Sequence, residues 1–424
     1  APITCTLELT RNKSGDRSCV YVHFNMVLPG LEGVKVTRAE EVEGVFHLHV
    51  EIPRRHHRCP SCNKRTNRVH DYRLQKVQHL KVYERTSFLF YRKRRYVCVC
   101  GKRFFENNTL VDRYQRHTRE WNQALGLRII QGKNFKDTAA QFHTSQTTAI
   151  RRFDQIAAPA LKEVEELPSV IAIDEYKGDT NEGKYQVIIA DGETHSPLDI
   201  LPDRSVETVK KYLRTRGSKV KMVIMDMSPS FASAVKKALN DPIIIADRFH
   251  FCRYIYWAVD RVRKRVQKDF HDYDRKKCKR MRHVFHMPYD KLSEKQHWHL
   301  ERYLGLSEEL RIAYGLKEAF RIWFEKAKDS KRSMKQIKEG LYQFYDQVNA
   351  SGLEEFINTI LTFQNWQVEI LNSFAFDYNN GFIEGLNNLT KVIKRNAFGF
   401  QRHDRLRLRI LLHHQFKDLE FQVG

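Results

Sequence analysis

At 424 residues the chain has room for two to four domains with their own cores, and its 41% hydrophobic content is ordinary for a globular protein. The 74 Lys and Arg against 51 Asp and Glu leave a formal charge of +23, which favours a polyanionic partner, because each neutralised phosphate releases condensed counterions. A basic surface on an ordinary enzyme, or attraction to anionic lipid, is the plainer alternative. No apolar run approaches the roughly 18 residues of a membrane span, and eight cysteines, four of them gathered between positions 59 and 100, are too few for a disulfide scaffold. A protein of the reducing cytoplasm with no membrane partner is therefore expected, and Ala1 to Val20 carries no basic-apolar-small leader pattern.

Residues 1–52 read as an extension and lead-in. Residues 53–112 read as a zinc-binding, DNA-contacting domain. Cys59-Pro-Ser-Cys62 and Cys98-Val-Cys100 offer four thiolates, with Gly101 at the second turn, and structural zinc wants four soft ligands on tight knuckles. His57 or His70 could replace one thiolate, and unrelated buried thiols are the bland reading. Asp71 and Glu84 are the only acids among the many Lys and Arg from 54 to 103, and stretches such as Thr86 to Tyr91 are strand-like. The run Arg92-Lys93-Arg94-Arg95 is expected to face phosphates, with Arg92, Arg94 and Arg95 as contacts.

Residues 113–166 read as helical. Ala139, Ala140, Phe142, Ile150 and Phe153 have the spacing of two short helices joined at Phe142-His143-Thr144-Ser145, with Ser145 as N-cap of the second. As a helix-turn-helix this places Gln146, Thr147 and Arg151 at base edges and Arg152 nearer the backbone. A generic helical hairpin fits the same pattern.

From Ser169 the pattern changes to short β-branched runs: Val170 to Tyr176, Lys184 to Ala190, Pro197 to Leu201, Lys219 to Met225 and Pro242 to Ala246. Val206 to Arg214 and Phe231 to Leu239 have helical spacing between the later runs. Three strands in a meander, then α-β-α-β, imply a mixed sheet over residues 167–250 and are compatible with a ribonuclease H-like fold. Asp174 ends the first strand and Asp226 the fourth. An acid at the end of a buried strand is costly unless paired or metal-bound, so two on neighbouring strands point to a metal site. Each could instead begin a loop or cap a helix. Glu175 should face away from Asp174 if the strand runs on through it, and Asp191, Asp199 and Asp203 are less well placed.

Helical periodicity without strands dominates Phe249 to Ser373, so residues 251–375 are expected to form an all-helical insertion. Its clusters Arg261 to Lys268 and Arg275 to Arg282 suit a DNA backbone. Trp298, between His297 and His299, is either a core residue or a platform for an unpaired base. Asn379-Asn380-Gly381 breaks the chain, and residues 376–424 return to the core with an amphipathic run, Phe382 to Arg395. On it Glu384 shares a face with Asn380, Asn387, Asn388 and Lys391, a face that is either solvated or turned into a site. Arg402, Arg405, Arg407 and Arg409 form a further basic stretch.

The blocks CPSC…CVC, IAIDEY, VIMDMSPSF, IIADRFHFCR and NNGFIEGLNNLTKVIKRNAFGF resemble bacterial insertion-sequence transposases of the ISL-three family, over roughly residues 28 to 415, with family-like sequence beginning near Met26. The resemblance implies a multidomain α+β protein. In it a ribonuclease H-like α/β catalytic core with a long all-α insertion is preceded by a zinc-binding element and a helix-turn-helix. It also implies an Asp-Asp-Glu trio at Asp174, Asp226 and Glu384, holding two Mg²⁺ or Mn²⁺ ions. One structural Zn²⁺ would sit at Cys59, Cys62, Cys98 and Cys100. Asp247 and His250 match a D-x-x-H element, and Lys391 a basic residue seven positions after the Glu; these three are expected beside the active site, with Trp298 and Arg395 on DNA. Two metals suit phosphodiester chemistry because one activates the nucleophile and the other the leaving oxygen. The expected partners are double-stranded transposon ends and target DNA, bound by a dimer or larger assembly in the nucleoid of a bacterial cytoplasm. A DNA-binding regulator that has lost its chemistry, and a metal-dependent nuclease that never transfers strands, are the rival readings.

Overall fold

The structure, a computed structural model, describes residues 30–82, 84–329, 332–376 and 378–416, together with two short strands, β1 (Thr4–Cys5) and β2 (Phe24–Asn25). The stretch Ala1 to Val20 and the expected family start at Met26 otherwise lie outside the described residues. The chain divides into two compact units, residues 1–159 and 160–424.

In the first unit a five-stranded sheet is built from β3 (Lys35–Val42), β4 (Val45–Glu51), β7 (Val69–Val82), β8 (Arg85–Val97) and β9 (Arg103–Phe105). Its order is β3-β4-β8-β7, with β9 on β8. Alternation along β4, β7 and β8 puts Leu48, Val50, Val77, Leu89 and Tyr91 on one face, where they pack with Leu31, Val34, Leu110 and Val111. A two-residue ribbon, β5 (His57–Arg58) with β6 (Arg65–Thr66), carries the first cysteine pair. Three helices follow, α1 (Arg119–Gln131), α2 (Phe135–Gln141) and α3 (Gln146–Ala160). Each begins at a side chain that takes up a free N–H: Thr118 at Trp121, Asn134 at Asp137, and Ser145 at Thr148, the last at 3.1 Å. Trp121, Leu125, Ala139, Ala149 and Phe153 are buried among them.

The second unit is organised by a mixed sheet of order β12-β11-β10-β13-β14. The strands are β10 (Val170–Lys177), β11 (Tyr185–Asp191), β12 (Pro197–Leu201), β13 (Met222–Met225) and β14 (Ile243–Ala246). The first three form an antiparallel meander, while β13 and β14 run parallel to β10 and are reached through α4 (Val206–Arg216) and α5 (Pro229–Ala238). All five strands fall where the β-branched runs predict them. The central strands read as continuous apolar runs because both faces are covered. Ile171, Ile173, Val187, Ile189, Val223 and Met225 face α4, α5 and α6 (Arg248–Val266). Ala172, Ile188, Ile224 and Ile245, on the other face, are equally buried.

Beyond α6 come α7 (Asp272–Arg280), α8 (Glu294–Leu306), α9 (Glu308–Ala327), α10 (Met334–Ser351), α11 (Glu354–Asn365) and α12 (Gln367–Ala375). Among the described residues no strand follows β14. These helices do not enclose a separate core: Leu310, Phe320, Phe344, Phe363 and Ile370 belong to the same apolar cluster as the sheet. The chain then returns through α13 (Gly381–Asn396), which lies against β10, and α14 (His403–Gln415), which lies against β12.

Candidate active site

Strand register aligns the acids. Ile173 pairs with Met225, and Met225 with Ala246, so the next residues, Asp174, Asp226 and Asp247, stand level where the parallel pairing of three adjacent strands stops. Asp226 and Asp247 follow the last residues of β13 and β14, whereas Asp174 does not end its strand as expected, since β10 runs on to Lys177 against β11. The Asp247 N–H donates to Met225 O at 2.9 Å, which ties the third end to the second. Asp174 Oδ1 accepts from the Glu175 N–H at 2.8 Å, and Oδ2 accepts from Asn387 Nδ2 at 2.7 Å. Burial pushes the Asp174 carboxyl up to about 6, opposed by the Glu175 hydrogen bond and aided by the negative charge of Asp226. Asp226 is also raised, first by burial and then by Glu175 and Asp247, with His250 pulling the other way; its Oδ1 is buried without a hydrogen-bond partner among the described residues. Asp247 caps α6 and binds His250 Nδ1 at 2.6 Å, and that hydrogen bond is the first reason the His250 ring is raised. Glu175 does point the other way from Asp174, into a two-pronged contact with Arg204 at 2.9 Å.

Helix α13, which carries the other sequence-predicted residues, touches this part of the sheet through Asn387 and Lys394, and among the described residues Glu384 does not come close enough to Asp174 and Asp226 to share an ion with both. Glu384 is exposed and lies one turn before the buried Asn387; Lys391 and Arg395 are exposed further along. Lys394 straps the helix to the end of β10 through Lys177 O at 3.1 Å and Asp179 at 3.2 Å. The polar stripe on α13 is thus neither wholly solvated nor wholly turned inward, since Asn380 and Asn387 are buried while Glu384, Asn388 and Lys391 are not. The contact sequence reasoning missed is Asn387 on Asp174; its spacing of three from Glu384 was the available signal.

Among the described residues, only one set of three or more His, Cys, Asp or Glu side chains is close enough to share an ion. It is Cys59, Cys62, Cys98 and Cys100, whose sulfurs all lie within 4.8 Å of one another. Cys59–Cys100 and Cys62–Cys98 are 3.6 and 3.5 Å apart, near the edge of about 3.8 Å expected of a tetrahedron with Zn–S bonds of ~2.3 Å. Both knuckles close in the same way. Cys59 N–H donates to Lys64 O and Cys98 N–H to Lys102 O, each at 2.9 Å, and the residue after the second cysteine, Asn63 or Gly101, takes a left-handed φ of 59° or 82°. The four thiols therefore fit a structural zinc, and neither His57 nor His70 replaces one.

The cationic run on β8 is corrected. Alternation turns Arg94 inward: it is 6% exposed and bound to Glu51, Glu106 and Ile52 O, so it is not presented to phosphate. Arg95 is held by both oxygens of Asp71, and Arg92 by Glu51 at 2.9 Å. On α3, Gln146, Thr147 and Arg151 are exposed in the first turns, and Arg152 is half-buried beside Gln155. Trp298 is not a core residue: it is 60% exposed on α8, with the Arg302 guanidinium 5.7 Å from its ring centre. The cluster from Arg261 to Lys268 is partly internal, with Arg263 buried on Asp260 and Arg265 bridging Glu309 and Glu355, whereas Arg275, Lys276, Lys279 and Arg280 of α7 are exposed. Arg407 and Arg409 likewise turn inward, Arg407 onto Asp199 and Glu163.

Three family profiles match the chain: a zinc finger of the transposases of IS204, IS1001, IS1096 and IS1165 over residues 55–100, a helix-turn-helix domain of the ISL3 transposase family over 106–157, and the ISL3 transposase itself over 171–410. The last spans more than half of the sequence. The chain belongs to the ISL3 transposase family. Its relatives include the transposase for insertion sequence element IS1001 of Bordetella parapertussis, 25% identical over 405 residues, covering 90% of this chain and 96% of the relative. A shorter match, 35% over 118 residues, is to a Lactococcus lactis protein named an ATP-dependent protease, and covers 27% of this chain and 34% of that one. The helix-turn-helix makes this family member a DNA-binding protein, and its zinc finger falls on the four cysteines. No helix among the described residues is long and apolar enough to cross a membrane. Where the parallel pairing stops, the charge of Asp226 opposes ionisation of the half-buried Asp174, and Asp226 Oδ1 has no hydrogen-bond partner among the described residues, an arrangement that a cation would relieve.

Proposed function

We propose that this transposase binds the terminal inverted repeats of an insertion sequence, cleaves the DNA at their ends and joins the freed ends to target DNA, with two Mg²⁺ or Mn²⁺ ions held by Asp174, Asp226 and Glu384. The observation that carries the reading is the row of acids level across three adjacent strands, with Asp226 Oδ1 buried and unpartnered. The strand order, antiparallel meander first and two parallel strands after, supports a ribonuclease H-like core, with residues 251–375 inserted before the Glu384 helix.

Bound there, divalent ions supply a nucleophile at neutral pH and charge stabilisation at the leaving oxygen. The residues supply the rest. Asp174 is held within β10 and Asp226 directly after β13, so both stand on strands buried on both faces. Glu384, on the exposed side of α13, completes the ligand set from a different element. Asp247 holds His250 through Nδ1, leaving Nε2 to face DNA or a carboxylate. Lys391, two turns beyond Glu384, offers a cation to a phosphate oxygen. Water is the first nucleophile and the freed 3′-hydroxyl the second; both are in-line displacements with no covalent enzyme intermediate. Gln146, Thr147 and Arg151 read bases, and Trp298, Arg395 and the exposed cations of α7 meet DNA elsewhere. Two ends processed together require a dimer or larger assembly, working at the nucleoid in the cytoplasm.

Labelled element ends incubated with Mg²⁺ and target DNA test the whole reading. Nicked ends and joined products are expected. Nicking without joining would make the protein a nuclease, and binding without nicking a regulator.

A further inference from the structure

We infer that Asn387 is a positioning residue for Asp174, fixing its carboxylate in the orientation that holds a divalent ion; this rests on the two-metal reading above. The two acids are built differently. Asp174 has one donor on each oxygen, Glu175 N–H at 2.8 Å on Oδ1 and Asn387 Nδ2 at 2.7 Å on Oδ2, whereas Asp226 Oδ1 has none. A carboxylate offers about four lone-pair sites on its two oxygens, so one donor on each sets its plane and leaves the remaining sites for a ligand. The Glu175 donor is local and comes with the strand. The Asn387 donor comes from α13, one turn after Glu384, and so ties the orientation of Asp174 to the seating of the helix that carries the third acid.

Asn387 is costly where it stands. It is buried, and its Oδ1 has no partner among the described residues, nor has Thr390 Oγ1 one turn on. A leucine of similar shape would avoid the unmet acceptor, so what the position gains from an amide is the Nδ2 donor. Outer-shell groups of this kind orient the ligand before the ion arrives.

The test uses full-length, zinc-loaded protein and two measurements: Mn²⁺ binding followed by electron paramagnetic resonance, and cleavage of labelled element ends. Asn387→Leu keeps the shape and removes the donor; Asn387→Gln keeps an amide. For Asn387→Leu, Mn²⁺ binding and cleavage should each weaken roughly ten- to hundredfold, with melting temperature unchanged or raised and end binding intact. Asn387→Gln should recover part of both. Wild-type Mn²⁺ affinity in Asn387→Leu, or a loss of cleavage with Mn²⁺ affinity unchanged, overturns the role. Should Asn387→Leu fail to fold, Asn387→Ala is judged by the same two readouts. If wild type and Asp174→Asn bind Mn²⁺ identically, it is the two-metal reading that falls, and this inference with it.

Discussion

The four thiols of the first unit and the acids proposed to hold divalent ions in the second are arranged differently, for among the described residues only the thiols lie close enough to share an ion. The sulfurs lie within 4.8 Å of one another because each pair rides on a short knuckle whose backbone hydrogen bonds and left-handed residue set the spacing. Asp174, Asp226 and Asp247 come from three adjacent strands, the proposed Glu384 from a helix far along the chain, and like charges in a desolvated place resist being drawn closer. A site made of neutralisable thiols on tight turns can be preformed. Carboxylates on separate elements oppose one another's approach, and a cation between them would offset that opposition.

The sharpest way to break this contrast is at the acids. Asp226→Asn should bring cleavage of element ends below detection while end binding, measured by mobility shift, stays within twofold of wild type, because the reading modules lie elsewhere in the chain. Wild-type cleavage by that variant would remove Asp226 from the site. The thiols should behave oppositely. Cys98→Ser should lose the single zinc found by metal analysis and, with it, the folding of the knuckles and much of the end binding, since a structural site contributes its binding free energy to folding. Zinc-free wild-type protein that melts and binds normally would end the comparison.

Arg94 sharpens it, because β8 delivers the second cysteine pair. Arg94→Ala leaves Glu106 buried without its cation, and a cost of about 3–5 kcal/mol in denaturant melting is expected, with little change in the salt dependence of DNA binding. A changed salt slope at unchanged stability would return Arg94 to the DNA surface. The smallest effect is one of pH. The Asp174 carboxyl stands at about 6 in the folded protein against an ordinary 3.8, so the folded state favours its protonated form and stability falls as pH rises through about 6. Metal-free Asp174→Asn escapes that loss. It should be more stable than wild type at pH 8 by at most about 3 kcal/mol, the gap closing towards pH 4, and saturating Mg²⁺ should shrink it by stabilising only wild type. A gap independent of pH would mean that Asp174 is not desolvated.

Much of this is legible in the sequence. Asp174 and Asp226 are visible because a strand buried on both faces must be apolar throughout, so an acid in or just after its apolar run stands out, although β10 runs on past Asp174 to Lys177. Cys59-Pro-Ser-Cys62 and Cys98-Val-Cys100 are visible because a knuckle is a local object, and Ser145 because a cap acts within its own turn. The cationic run on β8 misled, because charge on a strand does not tell which alternate residues face inward, and Arg94 meets its acids only through β4 and the segment after β9. Trp298 stayed open between core and surface, since an aromatic on a helix is buried or exposed according to what the neighbouring helices cover, and it is exposed.

The sequence by itself determined the strands and helices of the second unit and their order, the zinc knuckles and the two acids on neighbouring strands, all of which follow from interactions spanning a few residues. It read residues 1–52 only as a lead-in, where β3 and β4 join the sheet of the first unit. Tertiary structure alone decided that Asp247 stands level with Asp174 and Asp226, that Asn387 reaches Asp174 from the far end of the chain, and that Arg94 and Arg409 are interior. Each of these depends on strand register or on helix seating, which is set by how whole faces pack and leaves no periodic mark on the residues concerned.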